Sequence, residues 1–426
     1  MMPIDDPPPP CASHNARVLA RQHRLDLRIL QRSVYVITTE EVLAHLDTQP
    51  PTRRAFAKHA PLFVPRADKV RRYQWECVRD MYNRSGFIIS PCGSGKTLIG
   101  LLIAVLNGGR FLILTTRYAE QWKAALDDFF KPIDNPVIAV GDEVPSGRIP
   151  DVCISTYSAF GASSNRLQLA KHVAYQTVVL DEAHGAASPQ SLNIIDRLSA
   201  VQWCALTATK VREDQELQKL EMRIGGTITE INRERLVREG FVADVSVTNL
   251  IIPYDNQHNL EELLGRHNAL ALHPNKIQTL LQLLRIVCVE NHKTIVFCDD
   301  LFCLDWSSAI VTASKLPIVG RISMSTPREE RRVIIDGFQN STNAAILFVS
   351  RTGDEALDVP SASAGIVFWN HWASRRQIVQ RIGRLSRVSI GPSPVFYVLL
   401  ADDPREIQAS KHREEYLLTH GFAVVR

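Results

Sequence analysis

The stretch Ser90-Pro91-Cys92-Gly93-Ser94-Gly95-Lys96-Thr97 decides how the first half of this chain folds. It follows the apolar run Phe87-Ile88-Ile89, which is typical of a buried strand, and it opens the apolar segment 98–106, which favours a buried helix. Glycines let the backbone curl so that successive N–H groups point at one anion, and the helix N-terminus adds partial positive charge. The sequence therefore predicts a strand, a phosphate-binding loop and a helix.

The side chains of this loop have matching chemistry. Lys96 can reach the β- and γ-phosphates of a nucleotide, and the Thr97 hydroxyl can bind Mg²⁺. Ser90 stands where the strict pattern has glycine, so the alternative is a plain glycine turn. The Gly-Lys-Thr sequence and its flanks favour the phosphate loop. The predicted ATP contacts of the loop are Pro91, Cys92, Gly93, Ser94, Gly95, Lys96 and Thr97.

Short apolar runs alternate with helical patterns on both sides of a polar stretch at residues 253–275. Such runs are typical of parallel strands buried on both faces, with helices as the crossovers. The predicted fold class is therefore α/β, with two doubly wound parallel-sheet domains. The predicted strands contain residues 87–89, 111–114, 152–154, 178–180 and 204–206, then 294–297, 345–349, 365–368 and 395–399.

Changes in composition and hydrophobic pattern along the chain predict the domain boundaries. Four consecutive prolines, Pro7 to Pro10, predict a disordered tail at residues 1–14. Residues 15–70 are predicted to form a small N-terminal module. The remaining predicted parts are an ATP-binding domain at 71–252, a linker or reduced thumb at 253–275 and a second domain at 276–426.

Asp181 and Glu182 follow the predicted strand 178–180 directly, in Asp181-Glu182-Ala183-His184. A carboxylate at the carboxyl end of such a strand lies beside the phosphate loop. Asp181 can hold Mg²⁺, and Glu182 can polarise the attacking water. An isolated Asp-Glu pair is usually a polar turn, but here it shares a domain with Lys96, so each signal supports the other.

A run of arginines without acidic residues lies near the end of the second domain, at positions 375, 376, 381, 384 and 387. One interpretation is a solvated basic helix face. The other is that Arg384 and Arg387, three residues apart on one helix face, clamp a γ-phosphate once the domains close. We predict both as catalytic residues.

Composition excludes several classes of protein. The 426 residues carry 49 Lys+Arg against 45 Asp+Glu, so the net charge of +4 is too small to indicate nucleic acid by itself. No two of the eight cysteines are spaced as C-x-x-C, which argues against zinc and for a reducing intracellular compartment. No apolar run approaches the ~20 residues that span a bilayer, and the acidic N-terminus does not resemble a signal peptide. We predict neither a membrane nor a zinc partner.

The ordered motifs resemble those of superfamily 2 helicases, and within them the xeroderma pigmentosum group B (XPB) family of DNA helicases. The resemblance covers about residues 70 to 425. Arg212-Glu213-Asp214, directly after Leu206-Thr207-Ala208-Thr209, matches the Arg-Glu-Asp motif of that family, although alone it resembles a charged surface loop. The other matching strings are Arg72-Tyr73-Gln74, the phosphate loop, 120–123, 154–157, the Asp181–His184 box, 295–300, 353–360 and 380–387.

The resemblance implies two tandem RecA-like domains and an ATP- and Mg²⁺-dependent DNA helicase or translocase acting in transcription or repair. It implies ATP contacts by Arg72, Gln74 and Asp358, catalysis by Gln380, and strand opening by Arg212-Glu213-Asp214. DNA is expected to be bound through its backbone, without sequence preference, in a nucleus, or in a host cell or virion if the chain is viral. The implied residues for DNA binding or coupling are Thr115, Thr116, Ser155, Thr156, Thr207, Thr209, Arg212, Glu213 and Asp214.

Some features depart from the family pattern. Only about 70 residues precede the first domain, and residues 253–275 are few for the thumb-like insertion of the family. Three alternatives therefore stay open: a viral-type transcript-release helicase, a DNA-binding ATPase switch without processive unwinding, and an RNA remodeller. Trp122 can stack on a base, but packing against its own helix is the favoured interpretation.

Overall fold

The computed structural model divides the chain into two compact units. Unit 1 contains Met1–Ser90 and Gly95–Ile231, and unit 2 contains Pro91–Ser94 and Asn232–Arg426. The structure describes residues 61–66, 69–116, 119–133, 135–141, 149–162, 173–208, 215–255, 260–351, 362–369, 375–388 and 391–425.

Unit 1 is built on a seven-stranded parallel sheet, in the order β5-β6-β3-β7-β8-β2-β9. Its central strands are buried along almost their whole length, because helices cover both faces. The predicted strands of this half are therefore confirmed. The strands are β2 (Gly86–Ile89), β3 (Phe111–Thr115), β5 (Ile138–Val140), β6 (Val152–Thr156), β7 (Ala174–Leu180), β8 (Ser199–Thr207) and β9 (Thr227–Glu230).

The helices of unit 1 connect these strands. The helix that follows the phosphate loop spans Lys96–Leu106 and buries the whole stretch from Leu98 to Val105, as its uniformly apolar sequence predicts. The helices are α1 (Arg72–Met81), α2 (Lys96–Leu106), α3 (Ala119–Phe129), α4 (Tyr157–Ala162), α5 (Ala183–Ala186), α6 (Pro189–Ile195) and α7 (Gln215–Ile224).

A separate two-stranded antiparallel ribbon joins β1 (Phe63–Pro65) to β4 (Phe130–Pro132). Phe63 is buried and its ring lies 6.3 Å from that of Phe111. The end of the predicted N-terminal module is thus attached to unit 1. The predicted tail and the rest of the module, residues 1–60, lie outside the described residues.

Unit 2 repeats the architecture with a seven-stranded parallel sheet, in the order β12-β13-β11-β14-β15-β10-β16. The two parallel sheets with their helices confirm the predicted α/β fold class. The strands are β10 (Ser246–Ile252), β11 (Lys293–Cys298), β12 (Ile318–Ile322), β13 (Ala345–Val349), β14 (Ala364–Trp369), β15 (Val395–Ala401) and β16 (Val424–Val425). The helices are α8 (Arg233–Arg238), α9 (Leu260–Ala271), α10 (Pro274–Val289), α11 (Leu301–Ala313), α12 (Arg328–Asn340), α13 (Arg375–Leu385) and α14 (Pro404–Thr419).

The observed boundary between the units differs from the predicted one at residue 252. β10 pairs in parallel with β15 and β16 and therefore belongs to the second sheet. On α8, Arg233 is buried, donates to the carbonyl of Gly421 at 2.9 Å, and lies 4.1 Å from the ring centroid of Phe422. The pairing of β10 and the contacts of Arg233 therefore assign residues 232–252 to unit 2.

The predicted linker at 253–275 also differs from the structure, because most of it is helical. It contains α9, which is kinked at Gly265 (φ 74°), and the first residues of α10. His273 caps α10 by accepting a hydrogen bond from the backbone N–H of Asn275 at 3.3 Å. The polar composition of this stretch is that of amphipathic helices on the surface of unit 2.

Candidate functional site

The phosphate loop adopts the backbone that its glycines allow. Gly93 and Gly95 have φ values of 79° and 78°, in the left-handed region that a side chain disfavours. The loop follows β2. At its start, the Ser90 N–H donates to the carbonyl of Thr207, at the end of the neighbouring strand β8, at 2.9 Å. The loop enters α2 with Gly95 as the N-cap residue. The amino group of Lys96 lies 3.3 Å from the Ser90 carbonyl, so it curls back over the loop.

Gln74 lies against this loop. Its side chain is buried, its Oε1 accepts a hydrogen bond from Arg71 N–H at 2.9 Å, and its Nε2 would be 2.7 Å from a Cβ at Gly95. Arg72, the other predicted contact on α1, is exposed and its Nε bonds Glu76 at 3.1 Å. Gln74 thus lies beside the loop, and the ATP contacts of Gln74 and Arg72 both stay predictions.

The carboxylate of Asp181 is held by three hydrogen-bond donors. Its Oδ2 accepts from the Thr115 hydroxyl and from the Trp122 indole N–H, each at 3.0 Å. Its Oδ1 accepts from the backbone N–H of Glu182 at 2.9 Å. Thr115 ends β3, Trp122 is on α3, and Asp181 follows β7, so neighbouring elements of one sheet edge converge on one carboxylate.

Burial is the main cause that raises the pKa of Asp181 to about 6, and the adjacent charge of Glu182 raises it further. The hydrogen bond from Trp122, the positive charge of Lys96 and the hydrogen bond from Thr115 lower this pKa and limit the rise. Asp181 and Glu182 repel each other, and the protein offsets only part of this repulsion. A cation beside the two carboxylates is therefore favoured.

Glu182 has an unusual backbone. Its φ of 47° and ψ of 59° place a residue with a side chain in the left-handed region, at the N-cap position of the short helix α5. Such a conformation costs about 1–3 kcal/mol and persists only where the surroundings enforce it. The Glu182 carboxylate is about one-quarter exposed and lies 3.2 Å from Nδ1 of His184. The strained turn therefore presents this carboxylate at the site surface.

Two contacts to Asp181 were not predicted from the sequence. Trp122 was expected to pack in its helix, and it is buried, but its N–H donates to the carboxylate. The hydroxyl of Tyr157 donates to the Asp181 carbonyl at 3.0 Å. Burial, followed by the charges of Asp181 and Glu182, raises the Tyr157 pKa well above its usual value, which keeps this hydroxyl a donor. Only the position of Tyr157 in the string 154–157 pointed to it.

The predicted DNA-contacting hydroxyls differ in exposure. Thr115, Ser155 and Thr207 are buried, and the Ser155 hydroxyl donates to the Gly141 carbonyl at 3.3 Å. In this structure, their side chains are therefore not available to a strand at the surface, because they serve the interior of the sheet. Thr116 is exposed, and Thr156 is partly exposed and accepts a hydrogen bond from Ala159 N–H at 3.1 Å.

The arginines near α13 are not equivalent. Arg381 is buried in an ion pair with Asp299, 4.8 Å from the ring centroid of Phe297. It supports the core of unit 2, so the interpretation of the whole run as a solvated face is wrong for this residue. Arg384 is partly exposed on α13, whereas the exposed Arg387 lies beyond the helix end at Leu385. The prediction that these two share one helix face is therefore wrong.

Several predicted residues lie outside the described part of the chain, and their roles stay predictions. They are Thr209, Arg212, Glu213, Asp214 and Asp358. Gln380 is described on α13 and is partly buried.

Within the described ranges, no helix is both long and apolar enough to cross a membrane. The same ranges contain no cluster of three or more His, Cys, Asp or Glu side chains able to hold a metal ion.

Two family models match this chain. Residues 236–425 match the ERCC3/RAD25/XPB C-terminal helicase, and residues 67–212 match the type III restriction enzyme res subunit. The first match begins near the start of unit 2, and the second contains the phosphate loop and the Asp181–His184 box.

Curated relatives give the same family. The chain is 29% identical to the general transcription and DNA repair factor IIH helicase/translocase subunit XPB of Danio rerio over 377 residues, which cover 83% of this chain and 47% of the relative. It is 28% identical to the corresponding Schizosaccharomyces pombe subunit over 386 residues, 85% of this chain and 47% of the relative. The chain thus spans about half the length of these relatives.

Solved structures share the fold. The Saccharomyces cerevisiae Dbp5 structure bound to RNA and ADP BeF3 has a TM-score of 0.60 at 15% identity and covers 83% of this chain and 88% of its own. The Pyrococcus furiosus Hef helicase domain has a TM-score of 0.55 at 15% identity, with coverages of 80% and 97%. The resemblance to the XPB helicase family and the tandem RecA-like fold, both predicted from the motifs, are therefore confirmed.

Proposed function

We propose that this XPB-like chain is an ATP-dependent DNA helicase or translocase that acts in transcription or repair. The observation that carries the proposal is the buried Asp181 carboxylate, held by Thr115, Trp122 and the Glu182 N–H at the same sheet edge as the phosphate loop. The names of the curated relatives, which are helicase/translocase subunits of a transcription and repair factor, support the choice of DNA as the track.

The loop supplies the nucleotide site. Backbone N–H groups between Gly93 and Thr97 surround the phosphates, with the positive end of α2 behind them. Lys96 moves from the Ser90 carbonyl to the β- and γ-phosphates, where its charge stabilises the oxygens that become more negative during transfer. Gln74, packed against Gly95, is placed to recognise the nucleotide from the side of α1.

Asp181 and Thr97 fit the requirements of Mg²⁺. The neighbouring carboxylates of Asp181 and Glu182 provide negative charge. Thr97, in the first turn of α2, provides a hydroxyl beside the loop. When bound, Mg²⁺ neutralises phosphate charge and fixes the geometry of the phosphates. Thr115 and Trp122 keep the Asp181 carboxylate oriented for this role.

Glu182 orients the attacking water and accepts its proton. The backbone of Glu182 is left-handed and its N–H bonds the Asp181 carboxylate, whereas its own carboxylate is about one-quarter exposed, and in this proposal the two carboxylates serve separate roles. Arg384, Arg387 and Gln380, from the α13 region, would then stabilise the γ-phosphate in the transition state.

A substitution at Trp122 tests the orienting contact. Trp122→Phe keeps a buried ring but removes the N–H that bonds Asp181, so the Mg²⁺ concentration for half-maximal ATP hydrolysis should rise about tenfold. Titration of Mg²⁺ in a steady-state ATPase assay measures this shift. Trp306→Phe, at a tryptophan 53% exposed on α11, is the matched control and should leave the titration unchanged. Superimposable titrations for both variants would refute the orienting role.

DNA is tracked through its phosphates in this proposal. Thr116 and Thr156, the hydroxyls with exposed surface at the ends of β3 and β6, are the described residues best placed for phosphate contacts. Such contacts carry no base information, so binding should be independent of sequence and should weaken steeply with salt.

One set of assays tests the proposed function. ATP hydrolysis is measured with and without DNA or RNA of equal length, together with strand displacement on duplexes tailed at either end. DNA-stimulated hydrolysis with displacement supports the proposal. Robust hydrolysis without displacement on any substrate would indicate an ATPase switch, and stronger stimulation by RNA would indicate an RNA remodeller.

The Arg-Glu-Asp motif gives a further prediction. Replacing Arg212, Glu213 and Asp214 together by alanine should reduce strand displacement at least about tenfold, while DNA-stimulated ATP hydrolysis stays within about twofold. The exposed triplet Arg328-Glu329-Glu330 at the start of α12 has the same charge composition and is the matched control for alanine replacement. An equal loss of both activities would point to a structural role for the motif.

A further inference from the structure

A cavity of about 240 Å³ lies within unit 2, away from the predicted site residues. Trp369 at the end of β14 and residues 398–400 of β15 form one side of it. The carboxyl ends of parallel strands are the edge at which α/β sheets bind ligands. Residues from α9, α10 and the start of α14 complete the wall, so rigid elements shape the space.

Three buried polar atoms at this cavity have no hydrogen-bond partner among the described residues. They are the Lys276 amino group, the Trp369 indole N–H and Oε1 of Glu406. Lys276 is 1% exposed, and its nearest carboxylate oxygen, Glu406 Oε2, is 3.6 Å away. That oxygen already accepts a hydrogen bond from Ala401 N–H at 2.6 Å. Leaving such groups without a hydrogen bond is unfavourable, so a ligand that bonds them gains affinity.

The rest of the wall combines charged side chains, those of Arg266, Asp403, Arg405 and Arg413, with flat and apolar surface. The Lys276 amino group lies 4.7 Å from the Trp369 ring centroid, and the His267 ring meets that ring edge-on at 4.7 Å. Leu270 and Leu400 supply aliphatic surface. Aromatic and aliphatic walls with a few convergent polar groups are typical of sites for small ring-shaped ligands.

We propose that this cavity binds a small planar heterocycle whose edge has a carbonyl next to an N–H, as uracil, thymine and guanine have. The carbonyl accepts from Lys276 and Trp369, and the N–H donates to Glu406 Oε1. A simple anion would place its charge against the unpartnered carboxylate oxygen of Glu406 and beside the carboxylate of Asp403. A purely apolar ligand would leave all three groups unpaired.

Calorimetric titration of the full chain with uracil tests the proposal, beside 1,3-dimethyluracil, benzoate and inorganic phosphate. Uracil should bind at one site. Dimethyluracil, which keeps both carbonyls but lacks both N–H groups, should bind at least about tenfold more weakly, because it leaves Glu406 unpaired. Tighter binding of benzoate or phosphate than of uracil would overturn the amide-edge assignment, and the absence of any heat would indicate a cavity filled by water only.

Variants link the binding to these atoms. Trp369→Phe keeps the ring, and the indole N–H has no described acceptor, so the change breaks no internal hydrogen bond and should weaken uracil about tenfold. Lys276→Met should do the same, whereas Lys411→Met, at an exposed lysine on α14, should not. Thermal unfolding confirms that each variant is folded. Unchanged uracil affinity in folded Trp369→Phe and Lys276→Met would overturn the proposal.

Discussion

Replacement of Lys96 by alanine should lower DNA-stimulated ATP hydrolysis by about two to three orders of magnitude, the usual loss when one donor to a developing oxyanion is removed. The amino group is the cation nearest the loop, 3.3 Å from the Ser90 carbonyl. Its removal also deprives Asp181 of a charge that lowers its pKa. Hydrolysis is measured by phosphate release at saturating DNA, and nucleotide affinity by fluorescence with a labelled ATP analogue.

The control for Lys96→Ala is Lys131→Ala, at an exposed lysine of β4. Both variants should keep the thermal midpoint of the wild type, since the Lys96 amino group bonds a carbonyl of its own loop. Hydrolysis by Lys96→Ala at more than about a tenth of the wild-type rate would contradict the assignment of residues 90–97 as the nucleotide site.

Glu182→Gln should separate binding from chemistry. The amide has the shape of the carboxylate but cannot accept the proton of water, so hydrolysis should fall by about two to four orders of magnitude while ATP affinity changes little. The two variants should therefore differ, because Lys96→Ala weakens both ATP binding and hydrolysis, whereas Glu182→Gln weakens hydrolysis alone. Single-turnover hydrolysis and nucleotide binding, measured on the same preparation, make the comparison.

Glu120→Gln, at an exposed glutamate on α3, is the matched control for the charge change. A Glu182→Gln protein that retains half of the wild-type rate would exclude Glu182 as the base. The carboxylate would then act only through the charge by which it raises the pKa of Asp181.

The central strands were predictable because they are buried on both faces, which leaves continuous apolar runs in the sequence. The segment 246–252, in which polar residues interrupt the apolar run, was not among the predicted strands, and its sequence does not say which sheet it joins. That choice depends on pairing with β15 and β16, whose residues lie far along the chain. The predicted domain boundary was misplaced for this reason.

The site was predictable where a motif fixes the backbone, as in the loop at 90–97 and at Asp181. It was not predictable where a side chain has two uses. Thr115 has a hydroxyl suited to a DNA phosphate, but burial turns it to Asp181. A periodic pattern places Trp122 inside without showing what its N–H contacts. Arg381 carries a charge typical of a surface, and Asp299 keeps it in the core.

The place of β10 has a consequence for synthesis of the protein on the ribosome. Every strand of the first sheet has been made once residue 230 emerges, so unit 1 has its full set of strands early. β10 emerges next, but its partner β15 begins about 150 residues later. At the usual 5–20 residues per second, the nascent strand waits about 7–30 s with its edges unpaired. Among the described strands of the two parallel sheets, β10 therefore waits longest for its first partner.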